Sequence, residues 1–126
     1  MSSKVVKRNV LIIDDDIIYQ QIIRKLLCST YNVILTGDSK EALDYLEEFG
    51  SPELVIADLN LPGLDGIELI STIKEKLNAS RTNILVISGM DDEKLKTNLF
   101  QLGVSEFLQK PIERKTLIDK IEELMG

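Results

Sequence analysis

The residues of this chain that could do chemistry together stand at the ends of apolar runs. Asp14 and Asp15 follow Val10-Leu11-Ile12-Ile13, and Asp58 follows Leu54-Val55-Ile56-Ala57. Ser88, with Gly89 after it, follows Ile84-Leu85-Val86-Ile87, and Lys110, with Pro111 after it, follows Glu106-Phe107-Leu108-Gln109. Three carboxylates brought together repel one another, and at least one pKa must then rise. A hard divalent cation relieves that repulsion, and an all-oxygen ligand set suits Mg²⁺. Lys110 would supply a fixed positive charge on the opposite side. A carboxylate nucleophile, a divalent cation and a lysine are what phosphoryl transfer needs. Asp58 would attack phosphorus to give an aspartyl phosphate. Ser88 would donate a hydrogen bond to a phosphoryl oxygen, and Gly89 would leave room for the group. On this reading Mg²⁺ raises the melting temperature, and Asp58→Ala raises the stability of the metal-free protein.

The composition excludes other chemistries. The chain has no histidine and a single cysteine, Cys28. Ser-His-Asp and Cys-His catalysis, histidine metal sites and an internal disulfide are therefore impossible. Cys28 follows Leu26 and Leu27 and is expected to be plain helix packing. A formal net charge of −6 argues against a nucleic-acid partner, because such binding rests on basic patches that neutralise phosphates. No apolar run approaches the length of a membrane span, and the basic N-terminus lacks a signal-peptide core. No membrane association and a cytoplasmic location are the expectation. The 126 residues, 44% hydrophobic and 29% charged, fit a single domain over 1–126, with 1–8 as a loose lead-in.

Five strands must present these residues. The apolar runs of residues 10–13, 54–57 and 84–87 read as buried parallel strands, with shorter ones at 33–35 and 106–109. Helical spacing separates them. Ile18, Ile22, Ile23, Leu26 and Leu27 mark a helix from about Asp16 to Ser29. Asp38 and Glu41 form a capping box for a second helix, whose buried side is Ala42, Leu43, Leu46 and Phe49. Asp65 is a candidate N-cap for a third helix carrying Ile67, Leu69, Ile70, Ile73 and Leu77. Asp91 or Asp92 caps a fourth, with Leu95, Leu99 and Leu102, that ends at Gly103. The fifth runs from about Glu113 to Met125 and buries Leu117, Ile118, Ile121 and Leu124 or Met125. Strand and helix alternating with short connections give an α/β, flavodoxin-like doubly wound fold with a parallel sheet in the order 2-1-3-4-5 and helices on both faces. In that order strands one, three, four and five are consecutive, about 4.8 Å apart, so their ends can surround one small ligand. The second strand, ending in Thr36-Gly37, brings no charge to the site.

Taken singly, each residue has a plain reading. Asp58 could be a turn residue, Asp14 to Asp16 a helix N-terminus attracted by the macrodipole, Ser88 a cap and Lys110 a solvated charge. It is their joint placement at the ends of the right strands that points to a site.

With these residues in place, the chain resembles the response-regulator receiver domains of two-component signalling over essentially its whole length. The matching residues are Asp14-Asp15, Asp58 within Asp-Leu-Asn-Leu-Pro-Gly-Leu-Asp-Gly, Ser88-Gly89 and Lys110-Pro111. The resemblance implies that Asp58 accepts a phosphoryl group from a phosphohistidine on a sensor histidine kinase or a histidine phosphotransfer protein. It implies a Mg²⁺ site, which Mn²⁺ could also fill, made by Asp15, Asp58 and the backbone carbonyl of Asn60, with Asp14 acting partly through water. Ser88 matches the hydroxyl that moves on activation, and Phe107 the switch aromatic, often Tyr, that rotates inward with it. Lacking a phenol, Phe107 would be held inward by packing alone. The Lys110-Pro111 bond resembles the family's cis peptide. Asn60 and Met90 match positions that tune the loss of the phosphoryl group, and Met90, which cannot orient water, implies slow self-dephosphorylation.

The resemblance further implies a switch rather than a turnover enzyme. Its output would be read on the face of the fourth helix, fifth strand and fifth helix, as a monomer or a weak dimer formed on phosphorylation. On that face lie Lys94, Lys96, Asn98, Gln101, Arg114, Lys115 and Asp119, with no recognisable target motif. Two rival readings are a degenerate receiver that binds partners without phosphorylation and an aspartate-nucleophile phosphatase of the haloacid dehalogenase type. The second needs an acid-base Asp where this chain has Asn60. A nucleotide-binding module lacks both glycine-rich signatures.

Overall fold

The computed structural model describes residues 7–59, 66–77, 81–89 and 92–126. Along them strand and helix alternate: β1 (Asn9–Ile13), α1 (Ile17–Leu27), β2 (Asn32–Thr36), α2 (Ser39–Phe49), β3 (Leu54–Asp58), α3 (Gly66–Leu77), β4 (Asn83–Ser88), α4 (Glu93–Gln101), β5 (Glu106–Gln109) and α5 (Arg114–Met125). The strands are all parallel, in the order β2-β1-β3-β4-β5. This is the doubly wound arrangement that the sequence predicts.

Period-2 alternation splits each central strand between two cores. Leu11, Ile13, Val55, Ala57, Ile84 and Val86 face the layer of α2, α3 and α4, where they meet Ala42, Leu46, Leu69, Ile73 and Leu99. Val10, Ile12, Leu54, Ile56, Leu85 and Ile87 face α1 and α5, through Ile23, Leu27, Leu117 and Ile121. All five residues of β3 are buried. That is why the central strands read as unbroken apolar runs.

Three aspartates start helices by accepting orphan backbone N–H groups, each such cap being worth about 1 kcal/mol. Asp16 accepts from Ile18 and Tyr19 at 2.9 and 3.2 Å, Asp38 from Glu41 at 2.8 Å, and Asp92 from Lys94 and Leu95 at 3.0 and 3.1 Å. Gly103, at φ +100°, closes the end of α4 in the left-handed region. Gly66 opens α3 against Leu59: a Cβ there would lie 3.0 Å from the Leu59 side chain, so a larger residue would need that side chain to give way. Among the described residues no helix is long and apolar enough to cross a membrane.

Several predicted packing roles are corrected. Ile18 is 73% exposed and Ile22 is also exposed, because α1 turns the stripe Gln20, Ile23 and Leu27 to the sheet instead. Phe49 is exposed at the last turn of α2, stacked on Tyr45 at 5.0 Å rather than buried. Cys28 is exposed too: it is the C-cap of α1, one residue past the last buried position, Leu27. Asp65 and Asp91 lie outside the described residues.

Candidate functional site

The carboxyl ends of β1, β3, β4 and β5 meet on one edge of the sheet. Asp14 follows β1 directly, Asp58 and Ser88 are the last residues of β3 and β4, and Lys110 follows β5. The ladder continues past the site. Leu59 N donates to Ile87 O at 3.2 Å, and Lys110 N donates to Ser88 O at 2.8 Å. The backbone carrying each of these side chains is thereby fixed to its neighbouring strand. Ser88 is fully buried. The Lys110-Pro111 peptide is cis.

Asp14, Asp15 and Asp58 each bring a carboxylate oxygen within 4.8 Å of the others. Asp14 and Asp58 are buried, 2% and 4% exposed, while Asp15 opens to solvent. Lys110 Nζ donates to Asp58 Oδ2 at 2.8 Å, a charge-assisted hydrogen bond. Burial works against the lysine's charge, but the hydrogen bond and the charge of Asp58 outweigh it, and the Lys110 pKa is raised. Lys110 is therefore a permanent cation in this site.

The pKa rise expected from crowding occurs at Asp14, which is pushed from 3.8 up to about 6. Its largest cause is burial. The hydrogen bond from Asp16 N, at 2.9 Å, opposes it, and repulsion from Asp58 adds to it. Desolvation rather than mutual repulsion is thus the main penalty. Asp58 is already neutralised by Lys110 at 2.8 Å, and its removal would strand the ammonium. The stability gain expected from Asp58→Ala therefore passes to Asp14. A cluster of three carboxylates, one of them opening to water, is a donor set that suits a hard cation, and these residues fit Mg²⁺. Asn60 and Met90 lie outside the described residues, as do Pro62 and Gly63 of the following loop.

Two site residues were not apparent in the sequence. Gln20, nearly buried, donates from Nε2 to the carbonyls of both Asp14 and Thr36, tying the ends of β1 and β2 together. Asp14 N donates to Thr36 O at 3.0 Å, so the second strand, which brings no charge, still positions Asp14 through its backbone. The available signal was a polar residue on the apolar stripe Gln20, Ile23, Leu27. Tyr19 is the other: its ring stands 5.2 Å from Lys110 Nζ.

Phe107 is buried, 7% exposed, in the core layer shared with Val86 and Leu99. It is not held by packing alone. Lys96 of α4 places its ammonium 5.4 Å from the ring centroid. The other residues expected on this face, Lys94, Asn98, Gln101, Arg114, Lys115 and Asp119, are exposed or partly exposed.

The sequence model of the response regulator receiver domain matches residues 10–122 and so spans the whole sheet from Val10 onward and every residue of this site. The chain belongs to the response regulator receiver family. Receiver domains serve two-component signal transduction as phosphoacceptor switches, and membership implies phosphoryl transfer onto an aspartate. Among curated relatives, the transcriptional regulatory protein FixJ of Bradyrhizobium diazoefficiens is 36% identical over 119 residues, covering 92% of this chain and 56% of that protein. The sensor histidine kinase TmoS of Ectopseudomonas mendocina is 31% identical over 117 residues, covering 93% of this chain and 12% of that protein. The chain thus spans about half of the first of these relatives and a small part of the second. Among solved structures, the chemotaxis response regulator CheY4 of Vibrio cholerae superposes with a TM-score of 0.85 at 24% identity, covering 94% of this chain and 99% of that one. A CheY-like receiver domain protein from Methanospirillum hungatei gives 0.86 at 22% identity, covering 95% and 94%. At these identities the two structures speak for the fold.

Proposed function

We propose that this receiver takes a phosphoryl group onto Asp58 from a phosphohistidine and thereby switches a protein-binding surface. An Asp58 oxygen forms the new O–P bond as the P–N bond breaks, and the electron pair returns to the donor imidazole. Lys110 moves from the carboxylate to a phosphoryl oxygen, and Ser88 donates its hydroxyl to another. Asp14, Asp15, Asp58 and the backbone carbonyl of Asn60 would hold Mg²⁺, or Mn²⁺ in its place, which would neutralise charge on the phosphoryl oxygens. With Met90 unable to orient water, the phosphoryl group is lost slowly. The donor is a sensor histidine kinase or a histidine phosphotransfer protein. The relative TmoS, itself named a sensor histidine kinase, contains a stretch like this chain. The output face is α4, β5 and α5, acting as a monomer or as a weak dimer formed on phosphorylation.

The single observation that carries this reading is Asp58, buried at the end of β3 and bonded to Lys110 at 2.8 Å, within one cluster with Asp14 and Asp15. The test is incubation with Mg²⁺ and acetyl phosphate followed by intact-mass measurement. One added phosphoryl group is expected on the natural chain and none on Asp58→Asn. No adduct at saturating Mg²⁺ refutes the proposal. That outcome would leave the degenerate, phosphorylation-independent binding module as the account of the chain.

A further inference from the structure

We infer that Tyr19 is a positioning residue for Lys110 in phosphoryl acceptance, its ring face holding the ammonium in place while the lysine changes anionic partner. The inference rests on Asp58 being the phosphoacceptor. Lys110 Nζ lies between two groups, Asp58 Oδ2 at 2.8 Å and the Tyr19 ring, whose centroid is 5.2 Å away. A lysine ammonium is a point charge on a flexible four-carbon stem, so one ion pair leaves its direction loosely set. A cation over an aromatic face gains a second, independent contact.

That contact matters during transfer. As the Asp58 oxygen bonds phosphorus, the leaving group departs with the electrons of its own bond to phosphorus, and the carboxylate's charge is spread onto the phosphoryl oxygens. Lys110 loses its partner at Oδ2 at the moment it must reach a phosphoryl oxygen. As the bond to Oδ2 is lost, the ring becomes what keeps the ammonium over the site, so the contact counts for more during transfer than in the resting ion pair. Tyr19 itself is anchored. Its backbone N–H donates to the α1 cap Asp16 at 3.2 Å, and its side chain is half-buried. Burial is the main reason that its phenol pKa is raised, so the ring faces Lys110 as a neutral phenol. The contact uses the ring face and makes no demand on the hydroxyl.

The test combines two measurements on the full chain. In proton–carbon NMR spectra of the metal-free protein, the Lys110 ε-methylene protons are expected upfield through the ring current, unchanged in Tyr19→Phe and returned to the ordinary lysine position in Tyr19→Leu. With acetyl phosphate and MgCl₂, Tyr19→Leu is expected to accept the phosphoryl group about three- to fivefold more slowly, a factor set by the usual strength of a partly exposed cation–π contact. Tyr19→Phe is expected to match the natural chain. If Tyr19→Leu does not fold, Tyr19→Met, also without a ring, takes its place. Unchanged acceptance without the ring, or equal slowing in Tyr19→Phe, overturns the role of Tyr19 while leaving Asp58 as phosphoacceptor. No adduct on the natural chain refutes the phosphoacceptor reading itself, and this inference with it.

Discussion

The Asp14 carboxyl is 2% exposed and titrates at about 6 in the folded chain against 3.8 when unconstrained. A folded-state pKa above the unfolded value means that the native state binds the proton more tightly. Between about pH 4 and pH 6 Asp14 therefore takes away stability from the metal-free protein as pH rises, and above that window its penalty is complete. Two pKa units correspond to about 3 kcal/mol, which solvent screening from the exposed Asp15 side trims to about 2 kcal/mol. Asp14→Asn removes the ionisation while keeping the shape and an oxygen that can still accept from Asp16 N. The variant should melt about 8 °C above the natural chain at pH 7.5 in EDTA, for a domain of this size. The advantage should vanish near pH 4, where Asp14 is protonated anyway. The measurement is a series of calorimetric melts across that range. A gain that is constant with pH, or no gain at pH 7.5, would refute the burial argument. With saturating Mg²⁺ the gap at pH 7.5 should narrow or reverse, since the natural site gains a ligand that the variant binds less well.

Other perturbations follow from the same geometry. Gln20→Leu leaves the carbonyls of Asp14 and Thr36 without their side-chain donor. It should cost about 2 kcal/mol in urea-unfolding measurements and weaken Mg²⁺ binding by calorimetry, whereas a change in stability alone would show that Gln20 does not position Asp14. Lys96→Met removes the ammonium 5.4 Å from the Phe107 ring but keeps an apolar stem. A loss of about 0.5–1 kcal/mol in urea-unfolding free energy is expected, and no loss would mean that Lys96 is held only by Glu93.

The strand ends were legible because burial on both faces forces unbroken apolar runs, and an acidic, hydroxyl or lysine residue directly after such a run has one place to go. Asp14, Asp15, Asp58, Ser88 and Lys110 all stand at or just past such strand ends. Helix rotation was less legible. In α1 the apolar residues Ile17, Ile18, Ile22, Ile23, Leu26 and Leu27 cover more of the surface than one stripe, so spacing alone could not choose which of them face the sheet. The face that turns inward carries Gln20 with Ile23 and Leu27, and the two hydrogen bonds of Gln20 to the ends of β1 and β2 favour that rotation. Those bonds exist only once Asp14 and Thr36 are neighbours, a fact of the register Ile13↔Thr36 rather than of local sequence. Tyr19 escaped notice for the same reason, since its partner Lys110 is brought to it only by the order of the strands. At Asp14 the sequence showed the crowding but not the depth. Three carboxylates at strand ends announce repulsion, whereas the greater penalty, desolvation, depends on how completely the fold buries that one side chain, which is 2% exposed.

Phe107 changes how such a switch can operate. A tyrosine at this position can place its hydroxyl in water when the ring swings out, but phenylalanine gains nothing there. Exposing a buried Phe costs about 2 kcal/mol, so an outward ring would be populated at only a few per cent. The ring is inward here, with the Lys96 ammonium over it. On that estimate, phosphorylation of Asp58 would have little outward population to shift. The layer that the ring shares with Val86 and Leu99 is contiguous with Ser88, which lies two residues from Val86 on the same face of β4. A displacement of Ser88 toward a phosphoryl group would therefore be felt as a change of packing beneath a ring already in place. The Lys96 ammonium touches both the ring face and Glu93, at 3.4 Å, and so is placed to respond to that change. In this chain the surface signal is expected in the position of the Lys96 charge rather than in the rotation of an aromatic ring.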